Sequence, residues 1–319
     1  MVVPRISTKN GLESQTVMEK KKRENITISS FQPEDIGDCI ALQHSLEPKH
    51  KHWSKVKAIT ELTSIAREKG QSVYLARYEG RLLGICGLVT VGQESGELYG
   101  SPLITDIAEV AELLVEHLLK LAKNKQGRWL RITIMHDNKI ITPVLERAGF
   151  HLEFSFVELK LDLPISLKPR SLPADLFEVS LASIDYTRFA KLHNKCHKHT
   201  RNAPPIDSDL AREHLSSLTT FRSGSLVLEN QDGDYVAYIL SGDEGSIDDI
   251  GVLRKYQKKG IGENLMAHSA TESAKIGIKC LRSVVDSQNS ASIALHKKIG
   301  FVKSGKRLVW QKNISGIAK

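Results

Sequence analysis

Apolar residues recur along this chain with the periods of helices and strands. In IAEVAELLVEHLLKLAKNKQG (107–127) they return every three or four positions, the stripe of an amphipathic helix, and KKGIGENLMAHSATESAKIGI (258–278) predicts a second. The stretches SVYLARYEGRLLGICGLV and SLVLENQDGDYVAYIL read as strand pairs, with EG and DG supplying the positive-φ residues of hairpin turns. GSIDDIGV predicts a further strand over 246–252. Opening strands are expected over 26–31 and 177–181, and helices over 34–45, 55–69, 185–197 and 207–219. After each long helix come a strand (RWLRITIM; KCLRSVV), a short helix ending at Gly149 or Gly300, and a last strand (FSFVELKLDL; GKRLVWQK).

The same order is thus written twice. Asn138 and Asn289, like Phe150 and Phe301, stand 151 positions apart, and that offset also superposes the two long helices. A period this long means tandem domains rather than a solenoid. We expect a flexible basic arm over 1–24, a first unit over 25–163, a proline-containing linker over 164–175 and a second unit over 176–315. Each unit reads as a mixed α/β or α+β sheet with helices on its faces.

Composition narrows the setting. Of 319 residues, 40% are hydrophobic and 26% charged, enough for two cores. No apolar run reaches the length of a membrane span, so no membrane partner is expected. Four cysteines without paired spacing suit a reducing cytosol, and we expect a cytoplasmic protein. The net charge of +8 permits nucleic-acid contact, but no aromatic-plus-basic reading surface accompanies it. A basic protein equally suits an anionic small ligand.

The candidate chemistry starts at RKYQKKGIG (254–262), between a strand and a helix. The first amides of a helix lack intrahelical partners and carry the positive end of its dipole. Gly260 and Gly262 would let an anion approach those amides, with Lys255, Lys258 and Lys259 around it. The stretch is neither a P-loop nor G-x-G-x-x-G.

Gln257-Lys258-Lys259-Gly260-Ile261-Gly262 resembles the acetyl-CoA pyrophosphate loop of the GNAT superfamily of N-acetyltransferases, and NSASIALHKKIGF (289–301) resembles that family's downstream segment. The match covers the core of 177–312, and in 26–163 it rests on the repeat. The resemblance implies two tandem GNAT-like domains, each with a mostly antiparallel sheet, and acetyl-CoA as co-substrate. Pantetheine would lie along Ile250, Gly251 and Val252, the pyrophosphate on residues 257–262, and Asn289 nearby. Val252 N–H is the oxyanion candidate, and an acceptor amine would attack the thioester directly. Alternation places Glu244, Ser246, Asp248 and Ile250 on one strand face. Asp248 is the first candidate base, with Glu244 and Asp249 behind it. His296 stands where the family usually has a tyrosine that protonates the leaving thiolate, and imidazole is able to do the same. The acceptor is an amine on a small molecule or a protein. The alternative is a non-catalytic tandem protein that binds acyl-CoA or a partner.

At the same offset the first unit has Asp106, Glu109, Ala111 and Leu145 in place of Gln257, Gly260, Gly262 and His296, so it is expected to keep the fold without the cofactor. LHNKCHKHTR places His193 and His197 four apart on one helix face, near Cys196 and His199, but no second ligand pair matches them. Substrate contact is expected there, and no metal.

Overall fold

The computed structural model describes residues 25–46, 54–91, 96–165, 172–201, 203–217 and 219–315. The expected arm (1–24) and residues 166–171 of the expected linker lie outside them.

The first half runs β1 (Thr27–Ser30), α1 (Ile36–Leu46), α2 (Lys55–Leu62), β2 (Val73–Tyr78), β3 (Arg81–Val89), β4 (Glu97–Ile104), α3 (Ala108–Asn124), β5 (Trp129–Met135), α4 (Ile141–Arg147) and β6 (His151–Asp162). The second repeats that order: β7 (Leu176–Val179), α5 (Tyr186–His197), α6 (Ser208–Ser216), β8 (Leu226–Asn230), β9 (Tyr235–Ser241), β10 (Ser246–Val252), α7 (Ile261–Lys275), β11 (Cys280–Asp286), α8 (Ser290–Ile299) and β12 (Val302–Asn313).

Two elements depart from the hydropathy pattern. The helix expected over 55–69 stops at Leu62. Beyond it the Arg67 guanidinium turns inward and donates to the carbonyls of Ser101 and Glu61, both at 2.9 Å, while Glu68 and Lys69 take positive φ. Satisfying a buried arginine there overrides helix propensity. Strand β4 was not among the expected strands, yet its residues alternate between buried and half-buried.

The strands form one twelve-stranded sheet in the order β1-β2-β3-β4-β5-β12-β6-β11-β10-β9-β8-β7. The halves exchange their last strands. β12 pairs with β5 of the first half, and β6 pairs with β11 of the second. All pairings are antiparallel except β4 with β5 and β10 with β11. Helices cover both faces. α3 and α4 close one core of the first half, around Leu114, Leu118 and Leu145, and α1 and α2 close the other. In the second half α7 buries Leu265 and Met266 on one face, while α5 and α6 bury Phe189 and Leu215 on the opposite one. Each such side chain contributes about 1.5–3 kcal/mol through the water it sheds. Among the described residues no helix is long and apolar enough to cross a membrane.

Candidate active site

The two central strands of the second half separate. β10 pairs with β11 only at Ser246↔Arg282 and Ile247↔Ser283. Beyond that point β11 stays with β6 and β10 stays with β9. Leu253 N–H bonds Val236 C=O at 2.9 Å, so the neighbouring pair, Val252↔Ala237, is of the non-hydrogen-bonded kind. The N–H of Val252 therefore points away from β9 and into the splay, and so do the backbone groups of Ile250 two residues earlier. The splay opens into a cleft of about 1470 Å³ lined by both halves.

At its end stands the N-terminus of α7. Gly260 caps the helix at φ 80°, a left-handed conformation costly for other residues, and a Cβ there would meet nothing within 4 Å. The amides of Ile261, Gly262 and Glu263 head the helix, whose first internal bond, Asn264 N–H to Gly260 C=O, closes behind them at 3.0 Å. Gln257 donates through Nε2 to Val252 C=O at 2.9 Å, tying the loop to the strand. Lys258 lines the cleft. Lys255 and Lys259 instead lie over the Tyr256 ring, 4.9 and 5.4 Å from its centroid.

Several of the expected cofactor residues line the cleft and also have structural roles. Gly262 is closely packed, since a Cβ there would stand 3.0 Å from Leu295 Cδ2. At Gly251 a Cβ would come within 2.4 Å of the Tyr238 ring. Asn289 caps α8, its Oδ1 accepting from Ser292 N–H at 3.0 Å. Asn138 accepts from Ile141 N–H at 2.7 Å and so caps α4 in the same way. A cap present in both halves accounts for this asparagine without a ligand.

His296 is buried against Phe301, with ring centroids 4.9 Å apart. Its Nδ1 lies 2.7 Å from Ser292 C=O and its Nε2 2.9 Å from Ser283 Oγ. The carbonyl only accepts, so Nδ1 carries the proton and Nε2 of the neutral ring accepts from the Ser283 hydroxyl. Burial pushes the imidazole below its usual range. This ring has no proton directed at a thiolate, which corrects the expectation that His296 serves as the acid.

The alternation argument also needs correcting. Glu244 sits in the turn before β10 and pairs with Lys57 of the first half at 3.1 Å. A bulge between Ile247 and Asp249 breaks the period of two, so Asp248 and Asp249 both reach the cleft. Asp248 is exposed, and its carboxyl is pushed above the usual range by desolvation in the cleft, with Asp249 and Asp243 adding to the rise.

Asp249 meets groups that the sequence had left unconnected. The imidazoles of α5 converge on it, His193 Nε2 at 3.3 Å from Oδ2 and His197 Nε2 at 3.0 Å from Oδ1. The Tyr238 hydroxyl donates to Oδ2 at 2.5 Å. Burial alone would raise the Asp249 carboxyl, but the two histidines hold it well below the usual range. Cys196 beside them is pushed up to about 12 by burial and the Asp249 charge, so it stays a thiol. Asp249→Ala would take the carboxylate from beside His193 and leave His197 and Tyr238 with only their mutual contact at 2.9 Å. We expect it to lose about 3 kcal/mol or more in urea unfolding; an unchanged midpoint would contradict this account of the cluster.

The first half builds a wall of the cleft, supplying Lys57, Arg67, Tyr99 and Arg131. It has no counterpart of the glycine loop. Residues 105–107 alone join β4 to α3, where 253–260 join β10 to α7. Ala111 and Leu145 are wholly buried.

Residues 186–301 match the profile of the Acetyltransferase (GNAT) family. The [Ribosomal protein bS18]-alanine N-acetyltransferase of Escherichia coli K12 is 34% identical over 74 residues, which cover 22% of this chain and 50% of that protein. The chain thus spans about half the length of the curated relatives it matches. Two solved structures share the fold across both halves. A GCN5-related N-acetyltransferase from Sphaerobacter thermophilus superposes with a TM-score of 0.69 at 14% identity, covering 91% of this chain and 96% of that one. A tandem GNAT protein from the clavulanic acid biosynthesis pathway gives 0.67 at 13%, covering 91% and 99%. Residues 186–301 are thus similar to the GNAT family of acetyltransferases, and both halves together share the fold of a tandem protein of that kind.

Proposed function

We propose that the second half binds acetyl-CoA and transfers its acetyl group directly to an amine held in the cleft. The observation that carries this reading is the splay of β10 from β11, running toward the Gly260 helix N-terminus. A pantetheine arm pairs with the backbone of Ile250 and Val252 as an added strand would. The pyrophosphate then reaches the leading amides of α7, with Lys258 beside them.

Val252 N–H is the donor for the thioester oxyanion. Asp248, exposed in the cleft with a raised carboxyl, is the base that takes the proton of the attacking amine, directly or through water. Asp243 and Asp248 both line this end of the cleft, and their negative charge favours a cationic acceptor. No side chain is assigned as the acid. The first domain ends at residue 163 and the second begins at 176, with each terminal strand serving the other half's sheet.

The test is release of CoA thiol from acetyl-CoA by the full chain against a panel of amines. Diamines, amino sugars, lysine-containing peptides and peptides beginning with alanine belong in it, the last because the bS18 relative is an alanine N-acetyltransferase. Turnover on one class supports the reading. Acetyl-CoA binding without turnover on any of them would favour the non-catalytic alternative.

A further inference from the structure

We propose that His193, His197 and Asp249 form a binding site for a divalent first-row transition-metal ion, facing the same cleft as the proposed acetyl transfer. The three side chains present one ligand atom each, all within 4.8 Å of one another. Ligands bound at about 2.0–2.1 Å to one ion stand about 2.9–3.4 Å apart. The two imidazole-to-carboxylate separations, 3.3 and 3.0 Å, already have that length. A small rotation of the rings brings the histidines, with centroids 4.7 Å apart, to the same spacing.

The second observation is the tautomer of His193. Asn194 is clamped on Ile206, its Nδ2 donating to the Ile206 carbonyl and its Oδ1 accepting from the Ile206 amide, both at 2.9 Å. The amide orientation is thereby settled, and Oδ1 is an acceptor. His193 Nδ1, 3.2 Å from that oxygen, must carry a proton. In the neutral ring Nε2 then has no hydrogen, and its lone pair faces an Asp249 carboxylate oxygen. Two acceptors in contact are held together only by a cation between them, either the extra proton of an imidazolium or a metal ion. An Nδ1–H fixed by an oxygen is the arrangement that prepares Nε2 for a metal.

Two imidazoles and one carboxylate suit zinc, cobalt, nickel or ferrous iron, and not magnesium or calcium, which prefer all-oxygen sets. All three residues line the cleft, so positions remain on that side for water or a ligand.

The test is Co²⁺ titration of the full chain without acetyl-CoA, read by visible absorption. We expect ligand-field bands that saturate at one ion per chain, vanish on adding Zn²⁺ and survive excess Mg²⁺. His197→Ala should abolish them, and His199→Ala, at an exposed neighbour, should leave them intact. Asn194→Ala keeps every ligand but frees His193, and should weaken Co²⁺ roughly ten- to a hundredfold. The proposal is overturned if no bands appear, if they persist in His197→Ala, or if Asn194→Ala binds like wild type. If His197→Ala is unfolded by circular dichroism, the Asn194→Ala titration decides. Acetyl transfer enters none of these readouts.

Discussion

Replacing Gly260 by glutamate should abolish acetyl-CoA binding. The position has room for a side chain, with nothing within 4 Å of a Cβ, so the variant should fold. The left-handed φ of 80° costs a non-glycine residue about 1–2 kcal/mol. The larger effect is electrostatic, because the new carboxylate stands where the pyrophosphate meets the leading amides of α7. Like charges in contact cost several kcal/mol, which at 1.4 kcal/mol per tenfold is a loss of roughly 10²-fold or more. Gly260→Ala carries the backbone strain without the charge and should lose about tenfold or less. Calorimetry on both variants separates the effects. Equal losses would assign the glycine to loop geometry and leave no argument for an anion at this helix end.

Asp248→Asn should give the second large effect, on rate. An ammonium has no lone pair, and a lysine-like amine has a pKa of about 10.4, so near neutrality the acceptor must lose a proton as it reacts. Loss of a positioned base lowers turnover by roughly 10²–10⁴. We expect kcat/KM of Asp248→Asn to fall by about 10² or more at pH 7. The deficit should narrow toward pH 9, where more of the amine is already neutral. The measurement is the pH profile of kcat/KM for wild type and variant on the best amine of the panel. Coincident profiles would remove Asp248 from the mechanism.

What could be read in the sequence was local. The long helices, the hairpin turns at Gly80 and Gly233 and the ends of α4 and α8 each depend on a few adjacent residues, and the structure places them there. The glycine loop was legible for the same reason, since a strand, a short loop and a helix start are contiguous in the chain. The exchange of β6 and β12 was not. Their apolar patterns state which face is buried but not which strand lies alongside, and the pairing is settled by contacts distant in sequence.

The acidic end of the cleft was misread through a single bulge. Alternation counted from Ser246 puts Asp248 and Asp249 on opposite faces, whereas the slip after Ile247 brings both to the cleft. The i, i+4 spacing of His193 and His197 was visible, but their shared partner lies on β10, so the pair looked incomplete. His296 was assigned by position alone. Its bond to Ser283 depends on how α8 packs on β11, which the pattern around His296 does not contain.

The central claim is that one half of this duplicated chain holds the cofactor. It is tested most directly by calorimetric titration of acetyl-CoA into the full-length protein. A single class of sites at one acetyl-CoA per chain is the predicted result. Two per chain would show that the first half binds the cofactor despite lacking a glycine loop, and no binding at all would contradict the account of the Gly260 helix end and the β10–β11 splay.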